Sequence, residues 1–172
     1  DLSEKMLQVA RKMTKENTVV YQNTAIEDVD FPKESFDVVL SSLALHYVAD
    51  FLKTAEKIYR ILKPGGNFIF SCEHPVFTAE GSQEWYLGEN KEILHFPVDH
   101  YFYEGKREAN FLGEKVVKYH RTLTTYLRSL LKLGFQLVDV AEPQPPQEML
   151  DLPGMQDEMR RPMMLIVSAR RP

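Results

Sequence analysis

The sequence predicts an α/β fold built on a mostly parallel sheet, and two observations carry that expectation. Val38-Val39-Leu40 and Phe68-Ile69-Phe70 are short, fully apolar runs rich in β-branched or aromatic residues, as expected of strands buried on both faces. Between them Phe51, Leu52, Ala55, Ile58, Tyr59 and Leu62 recur at helical spacing along one side. Strand, helix and strand in that order make a crossover between parallel neighbours.

The elements follow in order. Ser3 is a good N-cap, Glu4 suits the positive end of a helix, and Met6, Leu7, Ala10 and Met13 give that helix an apolar stripe. Residues 18–22, Thr-Val-Val-Tyr-Gln, read as a strand. Asp50 caps the crossover helix; Pro64 cannot continue it, and Gly65-Gly66 permit a tight exit at positive φ. Leu123, Leu127, Leu130 and Leu131 mark a second helix over residues 122–133, capped by Thr122 or Thr124 and ended by Gly134. Residues 136–141 read as a strand and 163–167 as a last, apolar one. Residues 142–162 hold five of the ten prolines and read as an extended connection.

Length and composition exclude several classes. A chain of 172 residues fits a single domain with a real core. The net charge of −4 leaves no basic footprint for nucleic acid. No apolar run reaches the roughly 20 residues of a membrane helix. Cys72 is the lone cysteine and no signal peptide is read at the start, which fits a reducing, cytoplasmic compartment. No histidine pair has metal-binding helical spacing, so no metal site is expected.

Phe36-Asp37-Val38-Val39, Ala44-Leu45-His46-Tyr47 and Leu62-Lys63-Pro64-Gly65-Gly66, in that order and at that spacing, closely resemble the second half of class I S-adenosylmethionine-dependent methyltransferases. The resemblance spans residues 1–71 and 121–169. It implies a three-layer, Rossmann-like sheet, mostly parallel with an antiparallel last strand. It also implies that the first strand and its glycine-rich turn belong upstream of Asp1, so that the domain is truncated at its amino terminus and binds its cofactor weakly or not at all as it stands.

The same resemblance assigns the cofactor residues for S-adenosylmethionine. Asp1 takes the place of the acid that accepts hydrogen bonds from both ribose hydroxyls, a task suited to an acceptor-only carboxylate. Thr24, Ala25 and Ile26 fall where the adenine edge is held, with Thr24 where an Asp is common; Leu2 and Ile26 would sandwich the ring. Backbone carbonyls of Ser41, Ser42 and Leu43 would meet the methionine amino group, and His46 lies just beyond.

Residues 72–120 break the pattern. They hold nine of the nineteen aromatics and four of the five histidines. A structureless loop of this length is improbable, so they read as an insertion with its own hairpins, laid over the strand ends as a substrate cover. His74 follows the strand at Phe68–Ser71 directly and His120 lies at the insertion's far end, so both are candidate catalytic bases. The expected function is methyl transfer to a small-molecule acceptor. A non-catalytic binding or protein-interaction domain and a nicotinamide-dependent oxidoreductase remain as alternatives, and homo-oligomerisation stays open.

Overall fold

In a computed structural model of the chain, residues 1–111 and 113–172 are described; Leu112, inside the expected insertion, lies outside them. Residues 1–32 and 33–172 form separate units.

In residues 1–32, α1 spans Glu4–Met13 and opens as expected, with the Ser3 hydroxyl accepting the Met6 N–H at 3.3 Å. Of the anticipated stripe only Leu7 is buried, while Met6 and Met13 are 60% and 77% exposed. The expected strand at 18–22 does not form. A strand needs a partner along its length, and this segment has one residue of ladder. The Asp1 amine donates to the Gln22 carbonyl at 3.2 Å, and the Thr24 N–H donates to the Asp1 carbonyl at 3.3 Å. This is the bonding of a parallel pair, and it stops at once because Ser3 turns the chain into α1.

In residues 33–172 four strands make the main sheet, in the order β1-β2-β8-β7. β1 (Phe36–Ser42) and β2 (Leu62–Glu73) run parallel, with Leu40 opposite Ile69. β8 (Met164–Arg170) is antiparallel to β2 and to β7 (Gln136–Ala141). Three strands therefore point one way and the last strand points back between two of them, as the sequence implied.

α2 (Phe51–Ile61) is the crossover, with Asp50 Oδ1 accepting the Lys53 N–H at 3.0 Å. Its exit differs from expectation. Leu62 ends the helix in extended backbone, and β2 begins at that residue. The positive φ of Gly65 serves an irregularity in β2, where Phe36 pairs with Leu62 but Val38 pairs with Asn67. Gly66 is needed there for space, because a Cβ would sit 2.9 Å from the Lys63 carbonyl oxygen and 3.0 Å from that of Asp37.

α4 (Leu123–Leu133) lies beside α2 on the same face of the sheet. Thr122 caps it, and Gly134 ends it at φ 93°. Glu104 reinforces the cap by accepting from the Thr122 N–H at 2.8 Å and from the Thr125 hydroxyl at 2.5 Å. Its buried seam runs through Tyr126 and Leu130, whereas Leu131 of the expected stripe is exposed. Phe51, Phe68, Phe70, Tyr126 and Phe135 form a chain of ring contacts 4.8–6.2 Å apart, which is the core. The other face of the sheet carries Val38 and Leu40, the latter 71% exposed. The helices that would complete a three-layer fold on that face are not among residues 33–172.

The insertion holds α3 (Pro75–Thr78) and two antiparallel hairpins, β3 (Tyr86–Leu87) with β4 (Ile93–His95), and β5 (Gly105–Phe111) with β6 (Glu114–His120). The connection 142–162 is extended apart from single turns at Gln147–Met149 and at α5 (Met155–Glu158). Phe70 has no exposed surface and touches rings from both helices. Phe70→Ala is expected to cost about 3–5 kcal/mol in denaturant unfolding; a loss below about 1 kcal/mol would mean that the core does not turn on this ring.

Candidate active site

β1 and β2 run parallel, so their carboxyl ends lie side by side, the place where open α/β sheets bind ligands. The tips are tied: the Leu43 N–H donates to the Ser71 carbonyl at 3.0 Å and lies 3.2 Å from its hydroxyl. Leu43 holds φ at +50°, which a branched side chain adopts at a cost, so the chain turns sharply as it leaves β1. Ser41 is buried on the covered face, its hydroxyl without a partner among the described residues. Ser42 faces the other way, 3.5 Å from the Ser71 hydroxyl.

Three buried histidines surround these tips, and each is tied into the fold. The Glu73 N–H donates to His46 Nδ1 at 3.3 Å, which leaves the proton of the neutral ring on Nε2, 4.0 Å from Glu73 Oε1. Burial holds the His46 pKa down at about 4 against the opposing pull of Glu73, so the ring is neutral near pH 7. His74 caps α3 by accepting the Val76 N–H at its Nδ1, and its Nε2 lies 2.8 Å from Glu142 Oε1, off the line of a straight hydrogen bond. His120 spans Thr78 Oγ1 at 2.8 Å and the Tyr101 carbonyl at 2.9 Å. Burial lowers the pKa of both. His120 thus has both ring nitrogens hydrogen-bonded, whereas His74 uses Nδ1 as a cap and keeps Nε2 beside Glu142 without a hydrogen bond among the described residues.

The sequence reading missed the charges that organise this end of the sheet. Lys118, 1% exposed on β6, donates to Glu73 Oε1 at 2.5 Å and to Gln83 Oε1 at 2.7 Å, while the Gln83 amide donates to Glu73 Oε2 at 2.7 Å. A buried lysine is tolerated only with such partners. Arg121, just past β6, donates to the Val48 carbonyl, to the Ala49 carbonyl at 2.9 Å and to the Tyr119 carbonyl at 3.3 Å. It pins the loop after β1, including His46 and Tyr47, to the exit of the insertion. Alternation along β6 hinted at Lys118, since it sits in phase with Val116 and His120; nothing local marks Arg121.

In residues 1–32, Asp1 Oδ1 accepts the Ser3 N–H at 2.7 Å, while Oδ2 makes no hydrogen bond among the described residues. That leaves an oriented acceptor oxygen of the kind a vicinal diol needs. Leu2 is 70% exposed, Thr24 bonds locally to the Ala25 carbonyl, and Ala25 precedes the single turn at Ile26–Asp28.

Comparison with known proteins decides the family. Residues 1–70 match the methyltransferase domain family. A Listeria monocytogenes protein assigned as an S-adenosylmethionine-dependent methyltransferase is 55% identical, with a TM-score of 0.96 over 100% of this chain and 78% of its own. The chain belongs to the S-adenosylmethionine-dependent methyltransferases. Another member, from Mesorhizobium loti, is 39% identical with a TM-score of 0.90 over 99% of this chain and 78% of its own. The demethylmenaquinone methyltransferase of Listeria welshimeri is 40% identical over 70 residues, 38% of this chain and 29% of that enzyme. S-adenosylmethionine is the cofactor of the family. Among the described residues no group of three potential ligands could hold a metal ion, and no helix is long and apolar enough to cross a membrane.

Two measurements probe this methyltransferase site. Lys118→Met leaves the Glu73 carboxylate buried without its partner and is expected to cost about 3–5 kcal/mol, while adding Glu73→Gln should recover much of the loss; equal losses in the single and double variants would show no coupling. His46 sets a pH dependence of stability. Its folded pKa lies below the unfolded value of 6.5, so the unfolded state binds more protons and the contribution, complete above that value, is lost as pH falls toward about 4. In chemical denaturation His46→Asn should lose less stability than the parent between about pH 7 and about pH 5; identical slopes would place the proton uptake elsewhere.

Proposed function

We propose that the chain transfers a methyl group from S-adenosylmethionine to a small-molecule acceptor at the carboxyl ends of β1 and β2. The observation that carries this reading is the tied pair of parallel strand tips, with Leu43 and Ser71 in contact, under a family identity that supplies the cofactor. Bound S-adenosylmethionine supplies an electrophilic methyl group on a sulfonium sulfur. The protein's share is to orient the partners and exclude water.

Named residues support that division. Asp1 would accept from the ribose hydroxyls, and Leu2, Thr24, Ala25 and Ile26 would frame the adenine. Backbone groups at Ser41, Ser42 and Leu43 would receive the amino-acid end. Arg121 fixes the loop bearing Tyr47, whose ring is 40% exposed and available to an acceptor. We read His74 and His120 as struts of the cover rather than as bases, because both nitrogens of His120 and Nδ1 of His74 are hydrogen-bonded and His74 Nε2 sits against the Glu142 carboxylate at 2.8 Å. The acceptor then arrives with its nucleophilic atom already deprotonated, or sheds its proton to water. The small-molecule class is supported by the demethylmenaquinone methyltransferase relative and by the aromatic-rich cover.

Calorimetric titration of the full-length protein with S-adenosylmethionine and with NAD tests the reading. Binding of the former and none of the latter is expected; the reverse would replace methyl transfer with redox chemistry. Asp1→Ala should weaken S-adenosylmethionine binding about tenfold to a hundredfold, in line with losing hydrogen bonds to a charged group, and unchanged affinity would remove the ribose role.

A further inference from the structure

Arg161, at the end of the connection before β8, is 9% exposed and lies inside a box of three rings from the insertion. Its guanidinium carbon is 4.7 Å from the Phe77 centroid and 4.8 Å from those of Trp85 and Phe96. Phe77 and Phe96 stack on each other at 5.7 Å, 13° from parallel, with the guanidinium beside the pair rather than between them, and Trp85 closes another side at 82° to Phe96. The walls come from α3 and the segments flanking the first hairpin, while the occupant comes from a different element altogether.

Two details bear on what the box is for. The ion-pair partner of Arg161 is Glu158, at 2.9 and 3.1 Å on its own connection, so the pair can move together without parting. Inside the box Nε has no hydrogen-bond partner among the described residues, so the seat leaves a buried donor unsatisfied. Phe77, Trp85 and Phe96 present ring surface to the guanidinium, whose hydrogen bonds go to Glu158. Such walls attract a diffuse, weakly hydrated cation and offer nothing to a strongly hydrated one, whose lost water needs replacing by acceptors. The site also lies at the carboxyl-end side of the sheet, since the His74 N–H, three residues from Phe77, donates to the Met163 carbonyl at the start of β8.

We propose that Phe77, Trp85 and Phe96 form a binding site for a methylated ammonium group, and that Arg161 occupies it as an internal competitor that withdraws when such a ligand enters. The inference rests on the methyl-transfer reading only for its choice of ligand, an onium centre that carries methyl groups.

Trp85 is the sole tryptophan, so its fluorescence reads the box directly. The full-length protein is titrated with tetramethylammonium chloride, with ammonium chloride at matched ionic strength, and with tert-butanol as the neutral isostere. A saturable change with tetramethylammonium alone is expected, about tenfold tighter in Arg161→Gln, whose shorter neutral side chain removes the guanidinium from the rings. Arg161→Ala serves as a second probe if the glutamine variant fails to unfold cooperatively. Phe77→Leu in the Arg161→Gln background should weaken binding about fivefold by removing a ring face. No saturable response in folded Arg161 variants, an equal response to tert-butanol, or indifference to Phe77→Leu would each overturn the proposal. S-adenosylmethionine titrated in parallel separates the two readings: heat from the cofactor with a silent box overturns only this inference, and a responsive box without cofactor heat overturns only methyl transfer.

Discussion

The parallel pairing of β1 with β2 is the constraint on which the rest of the molecule depends. Parallel neighbours cannot be joined by a tight turn, so the chain must cross from the end of one to the start of the other, and here it does so through α2. The helix must then bury one face on the sheet, which is why Phe51, Ala55 and Ile58 are apolar and inside. The same pairing sets both carboxyl ends at one edge, where Leu43 and Ser71 meet. β8 points back between β2 and β7, so its first residues also lie at that edge, and the Met163 carbonyl can receive the His74 N–H. The start of the insertion, the end of the connection and the strand tips meet at that edge because strand direction sets it.

Electrostatics at that edge follows from burial. Lys118, Glu73 and Gln83 close a ring of hydrogen bonds, and Arg121 gives its donors to the backbone carbonyls of a loop. Neither arrangement is cheap: ions lose hydration that partners only partly replace. What such groups provide is position. A carbonyl that accepts from a guanidinium has a fixed direction, and Val48 and Ala49 are held this way one turn before α2 begins. The neutral state of His46 belongs to the same picture, since a third cation beside Lys118 and Arg121 would be both desolvated and repelled.

Much of the fold was legible in the sequence because its signals are local. Ser3, Asp50 and Thr122 cap the helices they open, Gly134 adopts the left-handed exit, and residues 136–141 form the strand their pattern suggested. The misreadings share one cause, which is that a partner decided the outcome. Residues 18–22 have strand composition but only Asp1 beside them. Pro64 and Gly65 look like a helix exit, yet β2 starts at Leu62 because Phe36 is there to pair with it. Ser41, Ser42 and Leu43 could be placed from strand polarity alone. The partners of His74 and His120 are Glu142, Thr78 and Tyr101, distant in sequence or reached only through folding, and no spacing rule announces them.

The engaged histidines and the chemistry of the family lead to a common point. A sulfonium needs little chemical help to lose a methyl group to a nucleophile that is aligned with it, so selection on such a site acts on alignment and on dryness. A histidine with a free nitrogen near the transferring methyl group would itself be a nucleophile in competition with the acceptor. Occupying Nδ1 of His46 with the Glu73 N–H and both nitrogens of His120 removes that competition while keeping the rings as rigid, polar spacers under an aromatic cover. On this argument the buried His74 and His120 serve to satisfy backbone and hydroxyl groups.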